Sequence, residues 1–289
     1  KTFVARHLAR HLVGGTDGFW ELVQFHPSYA YEDFVQGIRP QQADGGGLDY
    51  PVLAGRFVRF CREAALRTGP CVLIIDEINR ANLARVFGEL MYLLEYRGEE
   101  VTLAVDGRRF QIPANVRIIG TMNTADRSIA LLDTALRRRF GFLELMPDPS
   151  ALGATLLDGI PLAAWLEALN QRILASVGRD ARNLQIGHAY LMENGRPIGD
   201  FARFARVLQE DILPLLEEYC YEDYEALEKI LGRSLVDRQN QRLRRELFEP
   251  SRKDELIQAL LSPEITTSSA AARIEPITTN GEDDNEDLA

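Results

Sequence analysis

Two short apolar segments of the chain each end on polar side chains, and this pattern constrains the fold more than any other feature. The first, residues 71–75, is an unbroken apolar run followed by Asp76 and Glu77. The second, residues 116–121, precedes Asn123. A strand that is apolar at every position is typical of a parallel sheet with helices on both faces. Because ligands bind at the carboxyl ends of such strands, we expect the three polar side chains to lie at one ligand-binding edge.

The segments around these strands alternate between helical and strand patterns, which predicts a parallel, doubly wound α/β sheet. The predicted strands are residues 21–25, 71–75, 116–121 and 140–145, and the predicted helices are residues 3–12, 52–67, 81–95 and 129–138. Asp106-Gly107 lies between two alternating segments and predicts a hairpin over residues 101–112. Residues 41–47 include three successive glycines and predict a flexible turn or loop.

After Pro147-Asp148-Pro149 the pattern becomes mostly helical. Helices are predicted over residues 162–177, from a cap at Asp200, and over residues 223–231 and 253–261. The sequence therefore predicts an α/β domain over 1–147 and an α-helical domain over 148–262. Residues 263–289 contain seven acids and one base and few large apolar side chains, which predicts a disordered acidic tail. Since this tail supplies most of the net charge of −10, that charge says little about nucleic-acid binding.

The composition bounds the location of the protein. No apolar run approaches the length of a membrane span and no signal peptide is visible, so we expect a cytoplasmic protein with no membrane partner. The three cysteines, Cys61, Cys71 and Cys220, have neither disulfide-framework nor metal-ligand spacing. We expect ordinary buried or half-buried thiols.

Lys1-Thr2 opens a helical pattern, which is how a phosphate-binding loop ends. The glycines of such a loop and the strand before it are not in the sequence, so we expect that the chain begins inside the loop. Backbone N–H groups of that loop cradle the β-phosphate. A chain that starts at Lys1 is therefore predicted to bind nucleotide weakly or not at all.

The polar strand ends carry chemistry that suits a nucleotide. Asp76 can hold Mg²⁺, and Glu77 can orient a water for attack on a γ-phosphate. The amide of Asn123 can donate to that phosphate without adding charge. The alternatives are two solvated acids at a strand end and an asparagine that caps a turn.

Three arginines in succession, Arg137, Arg138 and Arg139, follow a predicted helix. One cation at a helix C-terminus is explained by the helix dipole. Three point in different directions, so at least one can project into the nucleotide site of a neighbouring subunit as an arginine finger.

Together these segments resemble the McrB family, a branch of the AAA+ superfamily. The resemblance is carried by Asp76-Glu77-Ile78-Asn79-Arg80-Ala81-Asn82, by Met122-Asn123-Thr124-Ala125-Asp126-Arg127-Ser128 and by Ala135-Leu136-Arg137-Arg138-Arg139-Phe140. Further similar segments are residues 25–29, 31–34, 37–40, 186–190 and 214–219. The similarity runs from Lys1 to about residue 262 and implies a P-loop NTPase core of the AAA+ type followed by an α-helical lid.

The resemblance also implies an activity. McrB-like proteins are ring-forming NTPases, commonly hexamers, that bind nucleotide with Mg²⁺ between subunits. They are the motor subunits of restriction systems that cut DNA carrying 5-methylcytosine or another modification. A separate McrC-like subunit stimulates hydrolysis and carries the nuclease, and an N-terminal domain reads the DNA. The nucleotide is GTP or ATP, and the resemblance favours GTP.

Roles carry over position by position. Lys1 and Thr2 match the end of the Walker A loop, and Asp76 and Glu77 match the Walker B acids, with Thr2 and Asp76 at the metal. Asn123 matches the sensor, and Asp126 and Arg127 belong to the family signature. Arg138 and Arg139 match the trans-acting arginines, and His188 matches a lid residue near the nucleotide.

Two other functions remain open from the sequence. A MoxR-like chaperone ATPase shares the order of motifs, and a degenerate scaffold that does not hydrolyse nucleotide would explain a missing loop. The hairpin over residues 101–112 is expected either to face the pore of a ring or a partner, or to extend the sheet at its periphery.

Overall fold

The computed structural model describes residues 1–42, 46–123, 137–178 and 181–261. It divides into two compact units, one of residues 1–145 and one that begins at Met146. The domain boundaries expected from the sequence stay predictions. The acidic tail over 263–289 lies outside the described residues.

The first unit alternates strands and helices. Its helices are α1 (Thr2–Val13), α2 (Tyr31–Phe34), α3 (Arg56–Ala64), α4 (Leu83–Phe87) and α5 (Leu90–Glu95). Its strands are β1 (Trp20–Gln24), β2 (Gln36–Ile38), β3 (Gln41–Gln42), β4 (Leu48–Asp49), β5 (Val52–Ala54), β6 (Cys71–Asp76), β7 (Val101–Thr102), β8 (Arg109–Phe110) and β9 (Val116–Gly120).

The central sheet of this unit is parallel, with β6 between β1 and β9. In register, Ile75 lies opposite Val23 on one side and Gly120 on the other. All residues of β6 up to Ile75 are buried. The carboxyl ends of the three strands therefore share one edge, as the sequence predicted.

Side chains of β6 alternate between two cores, because successive residues of a strand point to opposite faces. Val72 and Ile74 pack with Ala5 and Ala9 of α1. On the other face, a larger cluster forms around Leu73 and Ile75, the aromatic rings of Phe34, Phe57 and Phe87, and further apolar side chains of α3 to α5. Helices thus cover both faces, and the predicted doubly wound α/β fold is confirmed.

The helix predicted over 52–67 was wrong at its start. Val52–Ala54 instead forms β5, which pairs antiparallel with β2, and the helix is α3. Gly55 separates the two elements and donates its N–H to the carbonyl of Val35 at 2.7 Å. A Cβ at Gly55 would lie 2.4 Å from the carbonyl carbon of Phe34, so the two backbones approach more closely than any side chain allows.

The helix predicted over 81–95 was wrong as one continuous element. It is broken into α4 and α5 at Gly88, whose φ of 50° lies in the left-handed region. The ring of Tyr31 lies 3.0 Å from where a Cβ of Gly88 would be. This contact joins residues distant in sequence, so helical periodicity alone could not reveal the break.

Two further predictions differ from the structure. Residues 140–145 form no strand. Among the described residues, the central sheet ends at β9, and residues 140–145 do not pair with it. Residues 41–42, the start of the turn or loop predicted over 41–47, pair with residues 48–49 as the ladder β3–β4. Of the helix predicted over 129–138, only Arg137 and Arg138 are described, and of these Arg137 is helical and Arg138 forms a turn.

The hairpin predicted over 101–112 is confirmed, with β7 and β8 antiparallel. Its turn contains Gly107 at a φ of 69°, a conformation that glycine adopts without strain. The carboxylate of Glu89 attaches the hairpin to the core, because one of its oxygens accepts the N–H of Ala104 at 3.0 Å and the hydroxyl of Tyr31 at 2.6 Å.

The second unit is mostly helical, as predicted. Its helices are α6 (Leu162–Ser176), α7 (Phe201–Val207), α8 (Leu213–Cys220), α9 (Tyr224–Leu231) and α10 (Lys253–Leu260). Its short strands are β10 (Leu156–Leu157), β11 (Ile160–Pro161), β12 (Met192–Glu193), β13 (Arg196–Pro197), β14 (Val236–Asp237) and β15 (Arg242–Leu243). Asp200 caps α7 by accepting the N–H of Arg203 at 2.9 Å.

A π-helical turn over Leu208–Ile212 joins α7 to α8. Pro214 follows it and has no N–H to continue an α-helical ladder. In the helix after this wider turn, Leu213 and Leu216 are the buried residues.

The cysteines behave as the sequence predicted. Cys61 and Cys71 are buried and Cys220 is half-buried, all without disulfides. Burial raises the pKa of the Cys220 thiol to about 11. No helix in the described parts of the chain has the length and apolar character needed to cross a membrane.

The close backbone approach at Gly55 predicts that a glycine-to-alanine substitution destabilises the protein there and not at an open position. Gly55→Ala should lower the free energy of unfolding by about 1–3 kcal/mol, because the new methyl group cannot fit without a backbone shift. The measurement is chemical denaturation followed by circular dichroism. Gly98→Ala is the matched control, since a Cβ there meets nothing within 4 Å. Equal stability of the two variants would show that Phe34 and Gly55 are not in contact.

Candidate functional site

The carboxylate of Asp76 is the meeting point of three elements at the edge of the sheet. Its Oδ1 accepts a hydrogen bond from the Thr2 hydroxyl at 2.7 Å and from the Thr121 hydroxyl at 2.5 Å. Thr2 is the first residue of α1, Asp76 the last of β6, and Thr121 the first after β9. The structure thus brings Thr2 and Asp76 together as the sequence predicted. Sequence reasoning did not select Thr121.

Lys1 and Asn123 form a second pair at the same edge. The Lys1 ammonium donates to Oδ1 of Asn123 at 3.2 Å. Partial burial lowers the pKa of the Lys1 amine, and the carboxylate of Glu77 opposes that shift. Lys1, Asn123 and Glu77 are therefore close enough to interact electrostatically.

Glu77 has an unusual backbone. Its φ of 54° and ψ of 44° are left-handed, which costs a residue other than glycine on the order of 1–3 kcal/mol. Its carboxylate pairs with Nε of Arg80 at 3.1 Å. Because both side chains are partly exposed, solvent screens the pair and its contribution to stability is small.

Asn79 connects the loop after β6 to the loop after β9. Its Nδ2 donates to the backbone carbonyl of Asn123 at 3.2 Å. Sequence reasoning included Asn79 only within a motif, because nothing local shows that its partner lies 44 residues away.

The oxygens at Asp76 fit Mg²⁺. A hydroxyl and a carboxylate are the hard oxygen ligands this ion prefers, and one or two protein ligands suffice because Mg²⁺ keeps several waters and also binds phosphates. Thr2 and Asp76 would hold it. The described residues contain no cluster of three or more His, Cys, Asp or Glu side chains that could hold a metal ion.

The side chains of the three successive arginines have different surroundings. Arg139 pairs with Glu95 at 2.8 Å, and its side chain is only 20% exposed. The guanidinium of Arg137 lies 5.7 Å from the ring centre of Phe142. Arg138 is exposed. Of the two arginines expected to act in trans, Arg138 is the more accessible to a second molecule.

His188 lies in the second unit, where it begins a 3₁₀ turn over His188–Leu191. Its Nδ1 accepts the backbone N–H of Asp148 at 3.0 Å. An imidazole nitrogen accepts only without a proton, so Nδ1 acts as the acceptor and Nε2 is not used in this contact. Hydrogen bonds from the side chain and backbone of Ser150 hold the pKa of the Asp148 carboxyl below its usual value. Asp126 and Arg127 lie outside the described residues.

Two family models match the chain in the same order as the two units. The AAA domain of the dynein-related subfamily matches residues 1–140, and the alpha-helical lid domain of McrB matches residues 161–228. The chain is an McrB-like member of the AAA+ family. Its α/β P-loop NTPase core with an α-helical McrB lid is thereby confirmed.

Curated relatives agree with this McrB-like assignment. The chain is 40% identical over 258 residues to the type IV methyl-directed restriction enzyme EcoKMcrB subunit of Escherichia coli K12, covering 82% of this chain and 55% of that protein. It is 31% identical over 158 residues to the type II restriction enzyme BsuMI component YdiS of Bacillus subtilis 168, covering 42% of this chain and 46% of that protein. The chain thus spans about half the length of these relatives.

A solved structure of a putative ATPase from Cytophaga hutchinsonii is also similar. It has a TM-score of 0.32 and 14% identity over 61% of this chain and 62% of that chain. This similarity is too low to add to the family assignment.

The ion pair between Arg139 and Glu95 predicts that Arg139 and Arg138 contribute differently to stability. A double-mutant cycle of Arg139→Gln and Glu95→Gln should give a coupling energy of about 0.5–1 kcal/mol, as expected for a partly exposed pair. The measurement is the free energy of unfolding from chemical denaturation. Arg138→Gln is the control and should leave stability unchanged. A coupling energy of zero between positions 139 and 95 would refute the pair.

Proposed function

We propose that this McrB-like protein is the nucleoside-triphosphate-hydrolysing motor subunit of a McrBC-like restriction system that acts on DNA carrying 5-methylcytosine or another modification. The observation that carries the proposal is the carboxylate of Asp76 bonded to Thr2, beside the Lys1–Asn123 pair, at the carboxyl edge of the sheet. A hydroxyl, an acid, a lysine and a neutral amide from distant positions meet there. That set suits a nucleotide phosphate with its metal ion.

Each residue has a distinct role in this proposal. The Lys1 ammonium and the N-terminus of α1 face the negative charge of the phosphates. Thr2 and Asp76 would hold Mg²⁺, and the ion would supply positive charge to the phosphate oxygens. Asn123 hydrogen-bonds the γ-phosphate or the attacking water.

Glu77 is the proposed general base. Its carboxylate orients a water and accepts the proton that this water loses as its oxygen attacks the γ-phosphorus. The bond from that phosphorus to the β,γ-bridging oxygen breaks, and the nucleoside diphosphate leaves. Arg80 lies 3.1 Å from the same carboxylate and holds it beside the site.

The remaining nucleotide contacts are proposed from the family. Asp126 and Arg127 belong to the signature segment beside Asn123. Arg138 and Arg139 complete the site of a neighbouring subunit in a hexameric ring, with Arg138 favoured by its exposure. His188 in the lid is proposed as a nucleotide-binding residue from the same resemblance, and its Nδ1 is engaged with the backbone of Asp148.

The substrate and partners follow the same reasoning. We propose GTP as the favoured nucleotide, with ATP as the alternative, an McrC-like nuclease subunit as the partner, and DNA recognition by a separate N-terminal domain. The names of the two relatives, both components of restriction enzymes, support this assignment over a MoxR-like chaperone. The match to an McrB lid supports it as well. The intact contacts of Lys1, Thr2 and Asp76 oppose a degenerate scaffold.

The direct test of this function is phosphate release by the whole protein with GTP and with ATP. Each nucleotide is supplied with Mg²⁺, with and without the McrC-like subunit and modified DNA. We expect release with at least one nucleotide and stimulation by the partner. Absence of release with both nucleotides in the presence of the partner would contradict the proposal.

The general-base role predicts a specific variant. Glu77→Gln should lower the turnover number by roughly 10²–10⁴-fold, because the amide cannot accept the proton of the water. Nucleotide affinity, measured by fluorescence of a labelled nucleotide, should change little. Glu99→Gln is the control, since Glu99 is exposed and lies elsewhere in the same unit. Turnover of Glu77→Gln at the wild-type level would remove Glu77 from this role.

A further inference from the structure

Thr121 is bonded to both acids at the end of β6 through a single hydroxyl. The hydroxyl donates to Oδ1 of Asp76 at 2.5 Å and accepts the backbone N–H of Glu77 at 3.4 Å. A threonine hydroxyl has one proton and two lone pairs, so both bonds form at once and each fixes the direction of the other. Valine, which has no hydroxyl, can make neither bond.

The backbone of Thr121 holds the residues on either side of these acids. Its N–H donates to the carbonyl of Ile75 at 2.9 Å, and its carbonyl accepts the N–H of Ile78 at 2.9 Å. Four consecutive residues, 75–78, are therefore bonded to one threonine. Gly120 permits this approach, because a Cβ there would lie 2.9 Å from Cδ1 of Ile78.

These bonds lie on either side of Glu77, which has a strained backbone. Glu77 has a left-handed backbone, which a residue without such restraint rarely keeps. Thr121 accepts the N–H of Glu77 itself and the N–H of the residue that follows it. Rotation of the Glu77 backbone towards an ordinary conformation would move both N–H groups and break both bonds.

We propose that Thr121 is a positioning residue for nucleotide hydrolysis, which holds Glu77 in its left-handed conformation and orients Asp76. The inference rests on the proposed function, since it assigns Glu77 to the attacking water. Thr121 acts through the two acids and does not touch the nucleotide. Its hydroxyl leaves Oδ2 of Asp76 available for the metal or its waters.

The test compares variants that differ in the hydroxyl alone. Thr121→Val keeps the branched shape suited to the end of a strand and removes the hydroxyl, and Thr121→Ser keeps the hydroxyl. In the whole protein, Thr121→Val should lower kcat by about tenfold or more, the effect of one charge-assisted hydrogen bond, with KM for the nucleotide changed by less than about threefold. Thr121→Ser should restore most of kcat. If Thr121→Val does not fold, Thr121→Ala is the second variant without a hydroxyl. It should show the same fall in kcat of about tenfold or more.

Thr16→Val is the matched control. The Thr16 hydroxyl likewise donates to one group, the carbonyl of Val13 at 2.7 Å, and accepts another, the N–H of Gly18 at 3.1 Å. It lies before β1, at the opposite end of the parallel sheet. Its loss should leave kcat unchanged. An unchanged kcat in the variants of Thr121 without a hydroxyl, or an equal fall in Thr16→Val, would overturn the proposal.

A second measurement separates this inference from the proposed function. Hydrogen exchange at the Glu77 amide, resolved by nuclear magnetic resonance, should be faster in Thr121→Val than in the wild type and in Thr121→Ser. Absence of hydrolysis by the wild-type protein would refute the proposed function, and the exchange rate would still test the role of Thr121. An unchanged exchange rate at Glu77 would overturn that role even in an active enzyme.

Discussion

The arrangement of the site depends on one carboxylate oxygen that accepts hydrogen bonds from two hydroxyl groups. Oδ1 of Asp76 receives Thr2 from α1 and Thr121 from the end of β9. Hydrogen bonds to a charged acceptor are shorter and stronger than those between neutral groups, so the two hydroxyls fix where α1 begins relative to the sheet. Asp76 itself is fixed because the five residues before it in β6 are buried, and residues 72–75 are paired on both sides.

The loop after Asp76 is strained at Glu77, and hydrogen bonds to the neighbouring loop offset that strain. The chain turns at Glu77 through a left-handed conformation, which places the carboxylate beside Arg80 and near Lys1. Hydrogen bonds from Glu77, Ile78 and Asn79 to the segment 121–123 stabilise the turn. The acid proposed as general base and the asparagine proposed as sensor are therefore held by one hydrogen-bonded network and cannot shift independently.

Local sequence pattern was enough to predict the elements whose burial is visible in their own residues. The uniform apolar run of β6 predicted a parallel strand, and the periodic pattern of 162–177 predicted α6. The breaks at Gly55 and Gly88 escaped prediction because each depends on a contact with a distant residue, Phe34 or Tyr31. Thr121 escaped for the same reason, since its hydroxyl binds Asp76 across 45 positions. The residues of the site with a recognisable motif were predictable, and those that hold the motif in place were not.

The most direct test of the central claim is the structure of the whole protein with Mg²⁺ and a non-hydrolysable GTP analogue. We expect the metal at about 2.1 Å from the Thr2 hydroxyl oxygen, with Asp76 bound to it directly or through one water. The γ-phosphate should lie within hydrogen-bond distance of the Lys1 ammonium. A metal and triphosphate bound away from the carboxyl ends of β6 and β9 would contradict the account.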